Sequence, residues 1–222
     1  MAARIDHLVV GATSLDEGVA WCEAVLGVVP GPGGEHPLMG THNRLLRIAT
    51  VDFPRAYFEI IAVQPGRAAQ RPHRWFDLDD ETLRDRLRRA GPRLLHFVAS
   101  VPAVRHAVDS LQQLGLDRGE VVAASRMSPR GLLQWQITVR PDGQRLFDGV
   151  LPTLIEWGDA HPAAAMPESG VTLHALHASH PEAARLRTAY AAIGLDAVAL
   201  DESAAQLRAV LDTPRGRVTL AS

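Results

Sequence analysis

The feature that most constrains the fold of this chain is a pattern of strand-like and helix-like segments that occurs three times. Each copy opens with a short apolar run typical of a strand, continues with an apolar stripe at helical spacing, and closes with three more strand-like runs. The opening runs are IDHLVVGA, RLLHFVAS and VTLHALHAS, and the helical stretches that follow them end in Leu-Gly or Gly-Leu. The pattern therefore predicts a βαβββ unit that is present three times.

A single βαβββ unit leaves a sheet edge and an apolar face uncovered, so the copies are expected to pair. We predict an α+β protein in which two βαβββ modules form a curved, barrel-like sheet around a cavity, with a third, shorter module that covers a sheet edge or caps the barrel. The predicted divisions are 1–65 for the first module, 66–92 for a linker with a charged helix, 93–158 for the second module, 159–170 for another linker, and 171–222 for the third module.

The composition of the chain excludes several classes of function. With 222 residues, a net charge of -2 and a pI near 6.5, the chain has no basic surface for nucleic acid or an anionic membrane. All 23 basic residues are Arg, which excludes Schiff-base chemistry on a lysine and a P-loop lysine. Cys22 is the single cysteine, so a disulfide framework and a Cys-rich zinc site are excluded as well.

The sequence has no apolar run of membrane-spanning length and no signal-peptide layout at the N-terminus MAARIDHLVV. We therefore expect a cytoplasmic protein whose partner is a small-molecule substrate, with no nucleic-acid or membrane partner. A homodimer is left open as the assembly.

Histidines and glutamates recur with the modules. His7 lies in the first strand of copy one and His96 at the matching point of copy two, while Glu59 and Glu156 lie in the closing strands, 52 and 60 residues after their own His (59 − 7 and 156 − 96). A charged Glu among apolar neighbours is costly unless it is paired or bound to a cation. The set predicts a divalent metal site, with zinc, manganese, nickel or iron as candidates. The alternative is that each His is a satisfied core residue and each Glu faces outward.

The third copy departs from this pattern. His174 matches the histidine position, but the closing strand GRVTLAS has Thr219 where a carboxylate is expected. We therefore predict that the third module is architectural.

The segment GGEHPLMGTHNRLLRI, residues 33–48, combines a Gly pair with two His, a Thr and an Asn. In the repeat it joins the second and third strands of copy one, where a hairpin folds over a mouth of the cavity. We predict that His36, Thr41 and Asn43 bind the substrate, and the alternative is a loop that merely braces the hairpin. Arg126 is a candidate for binding a substrate carboxylate, and Trp135 is predicted to wall the substrate together with Trp157.

With the βαβββ repeat and these positions in hand, the chain resembles the vicinal oxygen chelate superfamily, which includes glyoxalases, extradiol dioxygenases and antibiotic-resistance proteins. Several segments are similar to the signature segments of the glyoxalase-like domain proteins. They are IDHLVVGATSLDEGVAW, GGEHPLMGTHNRLLRI, YFEIIAV, SRMSPRGLLQWQI and PTLIEWGDAHPA.

The resemblance implies a metal held by residues from the first and last strands of two paired modules, which on this chain are His7, Glu59, His96 and Glu156. The metal would act as a Lewis acid toward a substrate that chelates it through two oxygens, with Glu59 and Glu156 as catalytic residues. The leading hypothesis is a metal-dependent lyase or isomerase of glyoxalase type acting on a small oxygenated compound. The alternatives are a protein that sequesters a small molecule without catalysis, and an extradiol-type dioxygenase with an iron triad of His7, His96 and Glu59.

Overall fold

A computed structural model describes residues 2–128 and 131–222 of the protein. Pro129 and Arg130, which belong to the segment SRMSPRGLLQWQI, lie outside these ranges. The first module contains β1 (Arg4–Gly11), α1 (Leu15–Leu26), β2 (Gly31–His36), β3 (Thr41–Arg47) and β4 (Tyr57–Val63), and α2 (Glu81–Ala90) follows it. The second contains β5 (Arg93–Ser100), α3 (Val104–Gln112), β6 (Glu120–Ser128), β7 (Gly131–Val139) and β8 (Thr153–Trp157). The third contains β9 (Thr172–Ser179), α4 (Ala183–Ile193), β10 (Val198–Asp201), β11 (Gln206–Thr213) and β12 (Gly216–Ala221).

The first two modules share one curled sheet of eight strands in the order β2-β3-β4-β1-β5-β8-β7-β6. In each module the opening strand pairs in parallel with the closing strand, β1 with β4 and β5 with β8. The two opening strands pair antiparallel at the centre. The predicted α+β fold, with two βαβββ modules in a curved, barrel-like sheet and a third, shorter module, is confirmed. The exact module boundaries stay a prediction.

The third module has the same order of elements but a different pairing. Its sheet runs β10-β9-β11-β12, so the closing strand β12 does not return to β9 as β4 and β8 return to their opening strands. This sheet packs into one apolar core with α1, α3 and α4, and Leu173 N–H donates to the carbonyl of Ile48 at 2.9 Å. The module therefore supports the outer face of the large sheet, the face that carries α1 and α3, rather than covering an edge or capping the barrel.

The linker after β4 fills part of the inner face of the large sheet. Its residues Trp75, Phe76 and Leu78 pack there against inner side chains of β1, β4 and β5. The helix α2 has the charged face that the sequence predicts, and it also buries Leu83 and Leu87 against the same core. As a result, apolar side chains fill one part of the inner face of the large sheet, and polar groups line the middle of that face.

Among the described residues, the helices are too short or too polar for any of them to cross a membrane.

Candidate functional site

A β-bulge at the centre of the sheet sets the first part of the site. In the β1–β5 ladder Ile5 pairs with Ala99 and His7 with Val98, so Asp6 is an extra residue in its strand. A bulge breaks the alternation of side chains and re-aims them. Consequently Asp6 and His7, although adjacent in sequence, lie within hydrogen-bond distance of each other, with Asp6 Oδ1 2.7 Å from His7 Nδ1.

The Asp6 carboxylate is completely buried and accepts hydrogen bonds from three side chains. The donors are His7 Nδ1 at 2.7 Å, Trp157 Nε1 at 2.9 Å and His161 Nε2 at 3.0 Å. Burial alone would raise the pKa of Asp6, but the hydrogen bonds from His161 and His7 outweigh it and lower the pKa to about 2. Because Asp6 is therefore ionised, the Nδ1 atom of His7 carries a proton and its Nε2 atom faces away from Asp6.

Glu59 faces the free side of this imidazole. Its Oε2 atom lies 3.6 Å from His7 Nε2, and its Oε1 atom accepts from Asn43 Nδ2 at 2.5 Å. The Tyr57 ring stacks on His7 with 4.4 Å between ring centroids. Burial raises the pKa of the Tyr57 phenol well above its ordinary value, so Tyr57 is a neutral wall. The structure thus brings together His7, Glu59 and Asn43.

The hairpin of β2 and β3 holds Asn43 in place. His36 Nδ1 lies 3.0 Å from Thr41 Oγ1, Asn43 Nδ2 lies 3.4 Å from His36 Nε2, and the Gly34 N–H donates to Asn43 Oδ1 at 2.7 Å. Burial lowers the pKa of His36 to about 4, so the ring is neutral at pH 7 and can accept from Asn43 while donating to Thr41. The three predicted substrate-binding residues of this hairpin therefore lie together, and Asn43 connects them to Glu59.

Close backbone approach explains the Gly pair in the hairpin. The β2–β3 ladder carries a bulge between Pro32 and Glu35. A Cβ atom added to Gly33 would collide with Asn43, and one added to Gly34 would collide with the Arg126 guanidinium. Since β2 and β6 are the two edge strands of the large sheet, the sheet curls until its edges nearly meet at Gly34 and Arg126.

A groove of about 480 Å³ opens beside this meeting point. It has a mostly apolar lining that includes Val28, Val29, Leu45, Met127, Leu133 and Met166. Arg126 is half-buried in its wall, and no described carboxylate lies within ion-pair distance of the guanidinium. Neither His7 nor Glu59 lines the groove, but Leu45 in its wall packs on Tyr57, so the groove and the polar cluster are neighbours.

His96 has a different environment from His7. It is fully buried, its Nδ1 atom donates to the Gly149 carbonyl at 2.8 Å, and its Nε2 atom accepts from the Thr153 N–H at 3.0 Å. Burial, followed by the charge of Arg118, lowers the pKa of His96 well below its ordinary value. Both ring nitrogens are therefore used within the protein.

The strand register shows which residue of the second module matches Glu59. Glu59 pairs with the residue two positions after His7, and Thr153 pairs with the residue two positions after His96. Thr153 rather than Glu156 thus occupies the matching place. Its Oγ1 atom accepts from Arg118 Nη2 at 2.8 Å, so a guanidinium lies in this part of the second module. We call Asp6, His7, Asn43 and Glu59 the first half-site, and His96, Arg118 and Thr153 the second half-site.

Glu156 points to the outer face of the sheet. Its neighbours Ile155 and Trp157 belong to the inner core, whereas the Glu156 carboxylate accepts from the Val104 N–H at 2.8 Å, at the start of α3. Ala103, the residue before α3, makes no side-chain capping bond, so Glu156 supplies the cap from β8. The structure does not bring Glu156 to His7 and Glu59.

These positions do not fit the predicted divalent metal. His96 has no free nitrogen, Glu156 lies on the other face, and the Arg118 charge beside Thr153 repels a cation. In residues 2–128 and 131–222 there is no group of three or more His, Cys, Asp or Glu side chains arranged to hold a metal ion.

Besides Arg118 and Thr153 of the second half-site, Asp6 and His161 were not predicted from the sequence. Asp6 precedes His7 directly, but its approach to His7 depends on the bulge. His161 comes from the linker 159–170, whose short 3₁₀ turn at Pro162–Ala164 folds over the inner face. Trp135 lies in register with Trp157, with ring centroids 5.5 Å apart. Trp157, rather than Trp135, donates the hydrogen bond to Asp6.

The comparisons with known proteins agree with this fold. A model of the glyoxalase-like domain matches residues 5–194. The chain belongs to the glyoxalase-like domain family. Among proteins with curated descriptions, none matches the sequence.

Solved structures similar to this glyoxalase-like protein include a hypothetical protein from Staphylococcus aureus, with a TM-score of 0.60 and 13% identity over 92% of this chain and 88% of the other. A variant of the Streptomyces coelicolor methylmalonyl-CoA epimerase in complex with 2-nitronate-propionyl-CoA has a TM-score of 0.44 and 16% identity, and covers 72% of this chain and 99% of its own. The methylmalonyl-CoA epimerase from Mycobacterium tuberculosis has a TM-score of 0.38 and 17% identity, with coverages of 73% and 91%. At these identities the first likeness shows the fold alone, and the two epimerases carry no argument about this chain.

Proposed function

We propose that the protein is an isomerase that removes a proton from a carbon atom beside a carbonyl group and returns a proton to a neighbouring atom, in a small carboxylate with an apolar body. The observation that carries the proposal is the His7 imidazole between two carboxylates, with Asp6 Oδ1 2.7 Å from Nδ1 and Glu59 Oε2 3.6 Å from Nε2. Asp6 fixes the tautomer and the orientation of the ring, as a catalytic histidine requires.

His7 and Glu59 form an acid–base pair in this proposal. Asp6 and Asn43 already bind the far atoms of the two side chains, so Nε2 and Oε2 remain free and face the same space. Acid–base catalysis requires that one member of the pair is proton-free and that the other carries a proton. The proton-free member removes a proton from the substrate carbon, and the electron pair of the C–H bond moves into an enolate. The other member delivers its proton to a neighbouring atom of the substrate.

Arg126 supplies the charge that such a reaction needs. It has no ion-pair partner in the part of the chain that the structure describes, it lies in the wall of the groove, and its charge acts on His36 and Tyr57. A guanidinium in this place suits a substrate carboxylate and stabilises negative charge that develops beside it. The apolar groove accommodates the rest of the molecule. Of the four predicted metal donors, His7 and Glu59 alone face each other with free atoms, so no step of the proposal passes through a metal.

The proposal is tested with 2-oxo acids that carry branched alkyl or phenyl groups, each compared with its neutral amide. We expect the acids, but not the amides, to raise the melting temperature of the protein. Arg126→Met should weaken their binding about tenfold or more, because a charge-assisted hydrogen bond is lost. Arg208→Met, which changes an exposed arginine of β11, should bind as the wild type does.

Catalysis is then measured by proton NMR in D2O as the loss of the C3 proton signal of a bound 2-oxo acid. We expect exchange with the wild type and with His106→Gln, an exposed control on α3. We expect exchange to slow about 10²–10⁴-fold with His7→Gln and with Glu59→Gln. Binding through Arg126 without exchange would overturn the enzyme proposal and favour a protein that sequesters the compound.

A further inference from the structure

We propose that the protein binds one halide ion, chloride in the cell, in a small cavity beside Arg118. This site lies in the second half-site and is separate from the groove and from His7 and Glu59. It rests on a buried guanidinium whose N–H groups outnumber their acceptors.

Arg118 is buried, and no carboxylate of residues 2–128 and 131–222 forms an ion pair with it. Only 2% of the residue is exposed, and its Nη2 atom donates to Thr153 Oγ1. Its Nε and Nη1 atoms have no acceptor among the described residues. The charges of Asp117 and Asp142 act on Arg118, but both carboxylates have other partners. Asp117 Oδ1 accepts from the Gly119 N–H, and Asp142 forms an ion pair with Arg140.

Burial lowers the pKa of Arg118 to about 9, and the side chain is still charged at neutral pH. A buried charge without a partner is strongly destabilising. A bound anion would remove that imbalance.

The cavity beside Arg118 supplies further donors. It is lined by Trp75, Phe76, Arg118, Thr138, Gly143 and Thr153, among others. The Trp75 Nε1 atom is buried and has no acceptor in the described part of the chain. Thr138 Oγ1 accepts from the Leu154 N–H, which leaves its hydroxyl proton to donate.

The size of the cavity selects the guest. The cavity volume open to a guest the size of a water molecule is about 10 Å³. The cavity therefore holds one guest of atomic size. Phosphate, sulfate and carboxylates are too large for this space. A water molecule needs acceptors for its own two hydrogens, whereas a halide needs donors only, so the surplus of donors favours the halide.

The first test is thermal unfolding at constant sodium concentration with chloride, bromide or gluconate as the anion. For the wild type we expect a saturable rise in melting temperature of a few degrees with chloride and bromide but not with gluconate. Arg118→Met should lose this rise. Arg93→Met, which changes a partly buried arginine of β5, should keep it. An equal response of the wild type and Arg118→Met would overturn the proposal.

The second test needs no variant and uses anomalous diffraction from wild-type crystals soaked in bromide. A bromide peak in contact with Arg118 and Trp75 is the expected result. If the cavity gives no anomalous peak, an uncharged guest such as water fills it and the proposal is wrong.

Discussion

The first and second half-sites are built on the same backbone geometry but carry opposite chemistry. In each, the residue before the histidine is the extra residue of a β-bulge, Asp6 in β1 and Leu95 in β5. In each, the strand paired in parallel places one polar residue beside the histidine, Glu59 in β4 and Thr153 in β8.

The difference lies in which polar atoms remain free. In the first half-site two carboxylates flank His7, and Nε2 of His7 and Oε2 of Glu59 lack a close hydrogen bond in the described structure. In the second half-site Leu95 takes the place of Asp6 and Thr153 takes the place of Glu59. Both ring nitrogens of His96 form hydrogen bonds within the protein. A repeated scaffold thus keeps one histidine available for proton transfer and makes the other a structural element.

The largest effect is expected for Asp6→Asn. An amide at this buried position would turn its NH2 group toward one of three N–H donors and would no longer hold His7 in one tautomer. We expect proton exchange of the bound 2-oxo acid to slow about 10²–10⁴-fold, with Arg126-dependent binding retained. The control is Leu95→Met, the matching bulge position, where a volume-conserving change should leave the rate within a few-fold of wild type. An unchanged rate in Asp6→Asn would remove the distinction between the half-sites.

The second effect is on stability and comes from Thr153→Val. This change removes the acceptor of the buried Arg118 guanidinium and a contact to His96. We expect the free energy of unfolding in urea to fall by about 2–3 kcal/mol, because a hydrogen bond to a charged group is lost. Thr219→Val, on the exposed face of β12, should change it by less than about 0.5 kcal/mol. Equal effects of the two variants would contradict the structural role of the second half-site.

The third effect is on the pH dependence of stability. Because burial lowers the pKa of His96, the unfolded chain takes up a proton near pH 6.5 that the folded chain does not. Stability should therefore fall as the pH decreases from 7.5 to 5.5, by at most about 1.4 kcal/mol per pH unit for one proton. His96→Gln should flatten this slope in urea unfolding, and the exposed control His106→Gln should not. Identical slopes in the wild type and His96→Gln would show that His96 is not buried in its neutral form.

The smallest effect is expected for Glu156→Gln. This change weakens the cap that the carboxylate provides for α3, so we expect a loss of about 1 kcal/mol in urea unfolding. Proton exchange at the first half-site should be unchanged. Glu202→Gln, at an exposed position before β11, is the control for a change of charge without a helix cap. Loss of proton exchange in Glu156→Gln with the fold intact would show that Glu156 acts in the site.

The sequence predicts the fold well because the two periodicities that define βαβββ units are local properties of the chain. It also predicts that His36, Asn43, Glu59 and His7 belong to one region, since they lie on the strands of one module. It does not predict the partner of His96, because matching by residue count cannot follow the insertion between β7 and β8. Only the strand register assigns Thr153 to that place.

The approach of Asp6 to His7 is also not predictable from the sequence. Alternation along a strand predicts that neighbouring residues face opposite sides, and a bulge is the exception that no periodicity reveals. His161 was missed for a different reason. It lies in a linker, and the path of a linker over a sheet depends on long-range packing such as that of Ala163 and Met166 on Tyr57.

The meeting of β2 and β6 also affects how copies of the protein behave toward each other in concentrated solution. An edge strand with unpaired backbone groups is a template on which another chain can add a strand and begin to aggregate. Here the two edges of the large sheet lean over the same opening, at Gly34 and Arg126, and a half-buried charge lies between them. An incoming strand would have to enter that narrow gap and desolvate a guanidinium. The same curl that forms the groove therefore also protects the protein against edge-to-edge association.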